Sequence, residues 1–466
     1  MSRVPRRWPR RLATGLGAVL VACVGPGAPE PIDSRAWVPQ EVPRGVDGTV
    51  VPEAWTEPSE LEHSIDLATT LRLCGARDLA SKIARAQAAE AGHVAQEAEY
   101  WYAPLLVPGV GLNRYDGRIQ NTVGDFLNVD KRSANAGGAI ALELDAGEAL
   151  FESLAAHRRA EAAADAAQSI GQQSVVLAAR RYFELAGMAA QVAVAADDVA
   201  FAKELLEVEQ ARSRGGAGLP ADEARARARL AEAQQALGLA QGRAELAAAA
   251  LVEQLHLEPG LRLVPNPAEA GRLLELVDTD VGLREMIGRA LARHPELRAA
   301  GHEISARRAE VDQATWGWLV PEVRAGAAFD GLGPELDRLE DREEYFVGVS
   351  WRLGLGMPAR QAAAEERLRQ SSLTEAVVRD RLSANVVRGR VMVQTAKSSL
   401  AAARQAVKAA EELLIAMQAR YENGAALLLE VLDARGVLSR ARTSVLQAIA
   451  EHNIAQYALL GALGGL

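Results

Sequence analysis

The stretch RYENGAALLLEVLDARG, residues 420–436, carries two carboxylates among apolar residues, Glu430 and Asp433. Three apart on a helix, they share one face. Such acids attract cations. Beside a helix start they also interact well with the helix dipole. Catalysis has little else to draw on. The seven histidines (His63, His93, His157, His256, His294, His302, His452) are scattered without metal-binding spacing. No P-loop, nucleophile elbow or dinucleotide fingerprint occurs. GLGMP at 354–358 reads as a turn from a strand into a long helix. The expectation is no enzyme, no metal and no cofactor.

The element that carries these acids occurs twice. Leu185, Met188, Val192, Ala195, Val199, Ala202 and Leu206 keep the 3-4 spacing of a heptad seam. Adding 208 to each number gives Val393, Ala396, Leu400, Ala403, Val407, Ala410 and Leu414, apolar throughout. The same offset pairs Arg212 with Arg420, Gly216 with Gly424, Leu219 with Leu427 and Asp222 with Glu430. The chain therefore reads as repeat 1 at 61–266 and repeat 2 at 277–466, joined by PNPAEAG.

Each repeat is expected to run as helix, strand, polar loop, strand, very long helix, glycine turn and returning helix. The first helices are placed at about 76–100 and 283–315, and the long ones at about 147–213 and 357–422. No proline occurs from 109 to 219 or from 359 onward, as uninterrupted helices require. Each long helix spans roughly 100 Å at about 1.5 Å per residue. Strands are placed at about 105–115, 137–145, 321–330 and 343–353. In the last, Tyr345, Val347, Val349, Trp351 and Leu353 oppose Glu344, Gly348, Ser350 and Arg352, with Phe346 the exception. Ten-residue segments with this alternation suit transmembrane barrel strands, and a half-buried soluble sheet alternates too. Four strands are too few to close a barrel, so several chains in cyclic symmetry must contribute.

The ends and the composition bound the location. Residues 1–22 combine Arg3, Arg6, Arg7, Arg10 and Arg11 with an apolar run, and end in Leu20-Val21-Ala22 before Cys23. This resembles a lipoprotein signal peptide in which Cys23 becomes the acylated first residue. Removing it takes the net charge from −9 to −14, which disfavours nucleic acid as a partner. Residues 23–60 read as a proline-rich tether. Cys74, left without a partner, reads as a packed small hydrophobe. No later stretch gives 18 consecutive apolar residues, so no transmembrane helix is expected.

Tyr421, Gly424, Glu430, Val431, Leu432, Asp433 and Ala434 match the pattern Tyr-x-x-Gly…acid-Val-Leu-acid-Ala. With the tandem repeats and the lipobox, the chain resembles the TolC-like outer-membrane efflux proteins from about residue 61 onward. The resemblance implies a mainly α fold with membrane β, in which a homotrimer forms a twelve-stranded β-barrel continued by a long coiled-coil-like α-helical barrel. It implies a passive efflux or secretion duct, anchored to outer-membrane lipid through Cys23, with the helical barrel in the periplasm. The partners would be a periplasmic adaptor protein and an inner-membrane pump. By the same resemblance Arg212, Gly216, Leu219, Arg420, Gly424 and Leu427 mark hairpin tips that dock the adaptor. Glu430, Asp433, Asp222 and Tyr421 would form the periplasmic gate. Ala425 and Ala426 replace a polar, basic stretch, so no basic latch is expected at the second tip. Arg225, Arg227 and Arg229 are then candidates for salt links to neighbouring helices. The alternative reading is a periplasmic coiled-coil adaptor or a structural lipoprotein.

Overall fold

A computed structural model describes residues 62–215 and 219–466. The signal peptide, the tether, Cys23 and Gly216 lie outside the described residues. A short strand β1 (Glu62–Ile65) leads into helices α1 (Leu67–Arg77) and α2 (Leu79–Glu99). The hairpin β2 (Leu105–Gln120) and β3 (Phe126–Asp145) follows, then α3 (Ala146–Arg214) and α4 (Pro220–Gln254). Strand β4 (Arg262–Pro265) and one turn, α5 (Pro267–Ala270), begin the linker. The succession then recurs as α6 (Leu283–Arg293), α7 (Pro295–Trp316), β5 (Glu322–Gly333), β6 (Glu340–Ser350), α8 (Met357–Glu422) and α9 (Leu428–Ala462).

The helix placed at 76–100 is in fact two, broken at Asp78. Its carboxylate accepts from Ser81 N at 2.7 Å to start α2, and from Ser174 Oγ at 2.7 Å, which ties the break to α3. Burial pushes the Asp78 pKa up, but these hydrogen bonds outweigh it and hold it below the usual carboxylate range. The helix placed at 283–315 also breaks, because Pro295 has no N–H to continue the ladder. His294 caps α7 through Nδ1, which accepts from Glu296 N at 3.2 Å.

The wall of the molecule is built on α3. Helices α2 and α4 pack along one side of it, α7 and α9 along the other, and α8 lies against α7 and α9. The α8–α9 seam has a clean seven-residue period. Val386, Val393, Leu400 and Leu414 meet Val431, Leu438, Val445 and Leu459, all buried. Backbones come close where side chains vanish: a Cβ on Gly389 would lie 3.1 Å from Leu459 Cα. Contrary to the sequence expectation, α3 holds an 18-residue window of mean hydropathy 1.4, enough by length and composition to cross a membrane. Only 39% of that window is buried within the chain.

The four long strands form one antiparallel sheet in the order β2-β3-β5-β6. Leu106, Ile140, Ala327 and Tyr345 lie in one cross-strand row, and Leu142, Ala325 and Val347 in the next row of that face. Phe346 falls on the opposite face, where its ring covers Gly326, whose Cβ would meet it at 2.5 Å. That close contact explains the exception in the alternation.

Strand limits differ from the expected ones. β2 runs on to Gln120 and β3 starts at Phe126 rather than near 137. Past the apolar band the hairpin's faces exchange character: Tyr115, Ile119, Leu127 and Val129 share one face, and Arg114, Asp116, Arg118, Asp130 and Arg132 take the other, with an Arg114–Asp130 pair at 3.3 Å. β5 extends to Gly333, and β6 begins at Glu340 and stops at Ser350. Trp351 and Arg352 leave the ladder: Trp351 Nε1 donates to Leu319 O at 3.4 Å, and Arg352 meets Asp145 at 2.8 Å and Glu322 at 3.2 Å.

Midway along the helices a belt sits on the wall. β1 and β4 pair in parallel, and Glu269 of α5 accepts from Leu67 N at 3.0 Å and from the buried Tyr182 hydroxyl of α3. The linker then crosses α9 on buried polar side chains. Asn453 Oδ1 accepts from Leu274 N at 2.9 Å, and Gln456 Oε1 accepts from Leu276 N at 3.1 Å and Val277 N at 3.0 Å. Replacing Gln456 by Leu strands two buried N–H groups, each costing about 1–3 kcal/mol. A lowered thermal midpoint, followed by circular dichroism, is the expected result; an unchanged midpoint would show the strap is held otherwise.

Candidate functional site at the hairpin tips

Each repeat ends in a helical hairpin, and the second turn is fully described. α8 stops at Asn423, and Gly424 takes φ +72°, a left-handed conformation that suits glycine. Gly424 N donates to Tyr421 O at 3.0 Å and Ala425 N to Arg420 O at 2.8 Å, the paired bonds of a Schellman stop. The Arg420 guanidinium adds a bond to Ala425 O at 3.0 Å. Arg420 therefore closes its own turn.

The restart is the same in both hairpins. Leu219 and Leu427 are the capping residues of α4 and α9, without side-chain caps, and are 65% and 69% exposed. Asp222 N and Glu430 N each bond back to that leucine's carbonyl at 3.0 Å. Both acids thus sit in a first helical turn, where the dipole favours negative charge. Their surroundings differ. Asp222 pairs with Arg225 at 3.1 Å, whereas Glu430 and Asp433 are exposed and form no ion pair among the described residues. Leu428, Val431, Ala434 and Arg435 take the packed face of α9, which leaves the two acids on the open one.

Arg225, Arg227 and Arg229 do not reach neighbouring helices. They pair with Asp222, Glu223 and Glu232 of their own helix, at spacings of three and four residues. A basic partner at the second tip comes instead from the first hairpin. The Tyr421 hydroxyl donates to Glu209, the Arg212 guanidinium lies 4.9 Å from the Tyr421 ring centroid, and Arg212 reaches Glu209 at 3.8 Å. Glu209 is 2% exposed, and no sequence expectation included it. It occupies the next step of the apolar series that ends Ala202, Leu206, where the second repeat has Met417. A charge in a heptad stripe was the available signal. Among the described residues no cluster of metal-ligating side chains occurs.

Residues 286–465 match the outer membrane efflux protein family. Part of the chain is similar to the outer membrane efflux protein BepC of Brucella suis, 25% identical over 298 residues, 63% of each chain. It is similar to protein CyaE of Bordetella pertussis, 28% identical over 319 residues, 66% of this chain and 63% of that one. These matches thus span 63% of either relative's length. Its fold is that of the Campylobacter jejuni CmeC outer membrane channel, with TM-score 0.74 at 14% identity over 86% of this chain and 85% of that one.

The tip contact is sensitive to alkaline pH. Burial and the bond to Glu209 push the Tyr421 hydroxyl up to about 12 from 10.0. A raised pKa means the contact is fully present below pH 10 and is lost as pH rises through about 12. The tyrosinate absorbance difference between the native chain and Tyr421→Phe should therefore have its midpoint near 12. A midpoint at the ordinary tyrosine value would mean the hydroxyl is neither buried nor bonded.

Proposed function

We propose that three copies of this chain form an outer-membrane duct for efflux or secretion, continued into the periplasm by a helical barrel. The observation that carries this is the open sheet. Its edge strands β2 and β6 have no outer partner among the described residues, and one face is an exposed apolar band. An edge of that kind templates pairing with another chain. Closure by rotation, β6 of one copy to β2 of the next, removes the edges and turns the apolar face to lipid. The helices below are long enough, roughly 100 Å, to carry the passage far from the bilayer.

Within that duct, Glu430 and Asp433 form two rings of three carboxylates that narrow and charge the periplasmic end, with Asp222 at the equivalent height on the neighbouring hairpin. Tyr421, held by Glu209 and Arg212, keeps the second hairpin inward. The exposed tips at Leu219 and Leu427, with Arg212, Gly216, Arg420 and Gly424 around them, dock a periplasmic adaptor that leads to an inner-membrane pump. Acylated Cys23 fastens each copy to outer-membrane lipid.

Single-channel recording of the purified protein in planar bilayers tests the duct and its gate together. The native chain should conduct cations in a nearly closed state. Glu430→Ala with Asp433→Ala should raise conductance and weaken block by divalent cations. A protein that conducts nothing would be an adaptor rather than a duct. Unchanged conductance and block in the double variant would remove the gate assignment alone.

A further inference from the structure

A second attachment of the second hairpin lies above the tip and belongs to none of the roles assigned so far. Arg435 follows Asp433 by two residues but faces the other way, and its side chain is 8% exposed. Its Nε donates to Asp198 at 2.8 Å and its Nη2 to Asp197 at 2.6 Å, both on α3. The guanidinium also lies 4.8 Å from the Phe201 ring centroid. Arg442, two turns further along α9, reaches the same Asp197 at 3.0 Å and Glu411 of α8 at 3.4 Å. One charged network therefore joins three helices, and Asp198 within it is 12% exposed.

We propose that Arg435 is the fulcrum of the second hairpin, a positioning residue that keeps α9 on α3 while the segment below it swings. This rests on the gate reading above and adds what fixes the motion. The two attachments differ in kind. At the tip a single hydroxyl meets the buried Glu209, with one half-exposed guanidinium alongside. At the fulcrum a planar fork meets two carboxylates and an aromatic face, with Arg435 and Asp198 largely out of water and Asp197 half-exposed. Removing a guanidinium from such a site strands buried charge, so the network resists opening more than the tip does.

On α3 the attachments at Asp198 and Glu209 are separated by roughly 16 Å, at about 1.5 Å per residue. The gate acids lie between them. Asp433 is about 3 Å along the axis from Arg435, Glu430 about 7.5 Å and the turn at Gly424 about 16 Å. A hairpin pivoting at Arg435 moves its tip most, the Glu430 ring by about half as much, and the Asp433 ring least. Unequal opening of the two rings is the signature of this arrangement.

Spin labels on introduced cysteines at Ala425, below the fulcrum, and at Arg440, above it, read this directly in the full trimer. Cys74 does not interfere, because it is buried and its thiol is pushed up to about 12. Releasing the tip with Tyr421→Phe and Glu209→Gln should lengthen distances between copies at Ala425 and leave those at Arg440 unchanged. Adding Arg435→Met with Asp198→Asn, which removes both charges together, should let the Arg440 labels spread as well. Arg435→Lys keeps the charge but not the fork, and should give an intermediate spread. A residue serving stability alone would lower the melting temperature without separating the two labels. Equal spreading at both positions in the tip-release variant would overturn the fulcrum, as would no change at Arg440 when the network is removed. Conductance recorded on the same samples reports the gate itself. If Ala425 distances grow while conductance stays flat, the gate reading fails and the fulcrum stands.

Discussion

A helix of 69 residues has no means of staying ordered alone in water; it must be packed along its whole length. That requirement on α3 organises the molecule. Strand β3 runs directly into it, where Asp145 caps the helix by accepting from Glu148 N at 3.1 Å. The belt is fastened to it through Tyr182 and Ser174, and the second repeat through Asp197, Asp198 and Glu209. Each fully buried Leu or Val in its contacts contributes about 1.5–3 kcal/mol. Alanine at alternate positions contributes less but lets backbones approach, which a wall one helix thick needs more than bulk.

The short helices solve a different difficulty. α7 and α9 meet end to end, since a Cβ on Gly464 at the foot of α9 would lie 3.1 Å from His294 Cα. Such a break exposes backbone groups halfway down a long wall, and the linker is laid across it. His452 shows how the seam accommodates this. It falls at the heptad position between Val445 and Leu459 and is buried, with Nε2 3.0 Å from Leu274 O. Burial lowers its pKa, so the ring stays neutral and donates that bond. A polar residue in an apolar stripe thereby specifies where the linker sits, at the cost of one interruption in the seam.

Periodicity carried most of what the sequence told. The heptad in α8, alternation in β5, β6 and the latter part of β3, and the Asn423-Gly424 turn all follow from local rules; of the seam expected in α3 only Leu185 and Ala202 are buried, with Ala186, Ala190, Val194 and Leu205 buried beside them. The extension of β2 and β3 beyond the apolar band was missed because the apolar residues there (Tyr115, Ile119, Leu127, Val129) change to the opposite face, which breaks the period-2 register. Pro295 announced a helix break that the long apolar spacing masked, while the break at Asp78 depends on Ser174, 96 residues away. Glu209 and Arg435 could be seen only as charges in the wrong place. Their partners lie 212 and 237 residues distant, and no local pattern links such pairs.

The repeat offset makes one further point about those pairs. Subtracting 208 from Arg435 gives Arg227, which the first repeat spends on Glu223 of its own helix. Adding 208 to Asp197, Asp198, Phe201 and Glu209 gives Gln405, Ala406, Ala409 and Met417, none of them able to hold a guanidinium by charge. Duplication preserved the hairpin but not its attachments. The two acids that Arg435 meets stand on the long helix of the first repeat, and the arginine stands on the return helix of the second. The charges therefore tie α9 to α3, while Arg227 stays on its own helix. Two copies of one unit can share a fold and still differ in how they are fastened, provided a handful of buried charges differ between them.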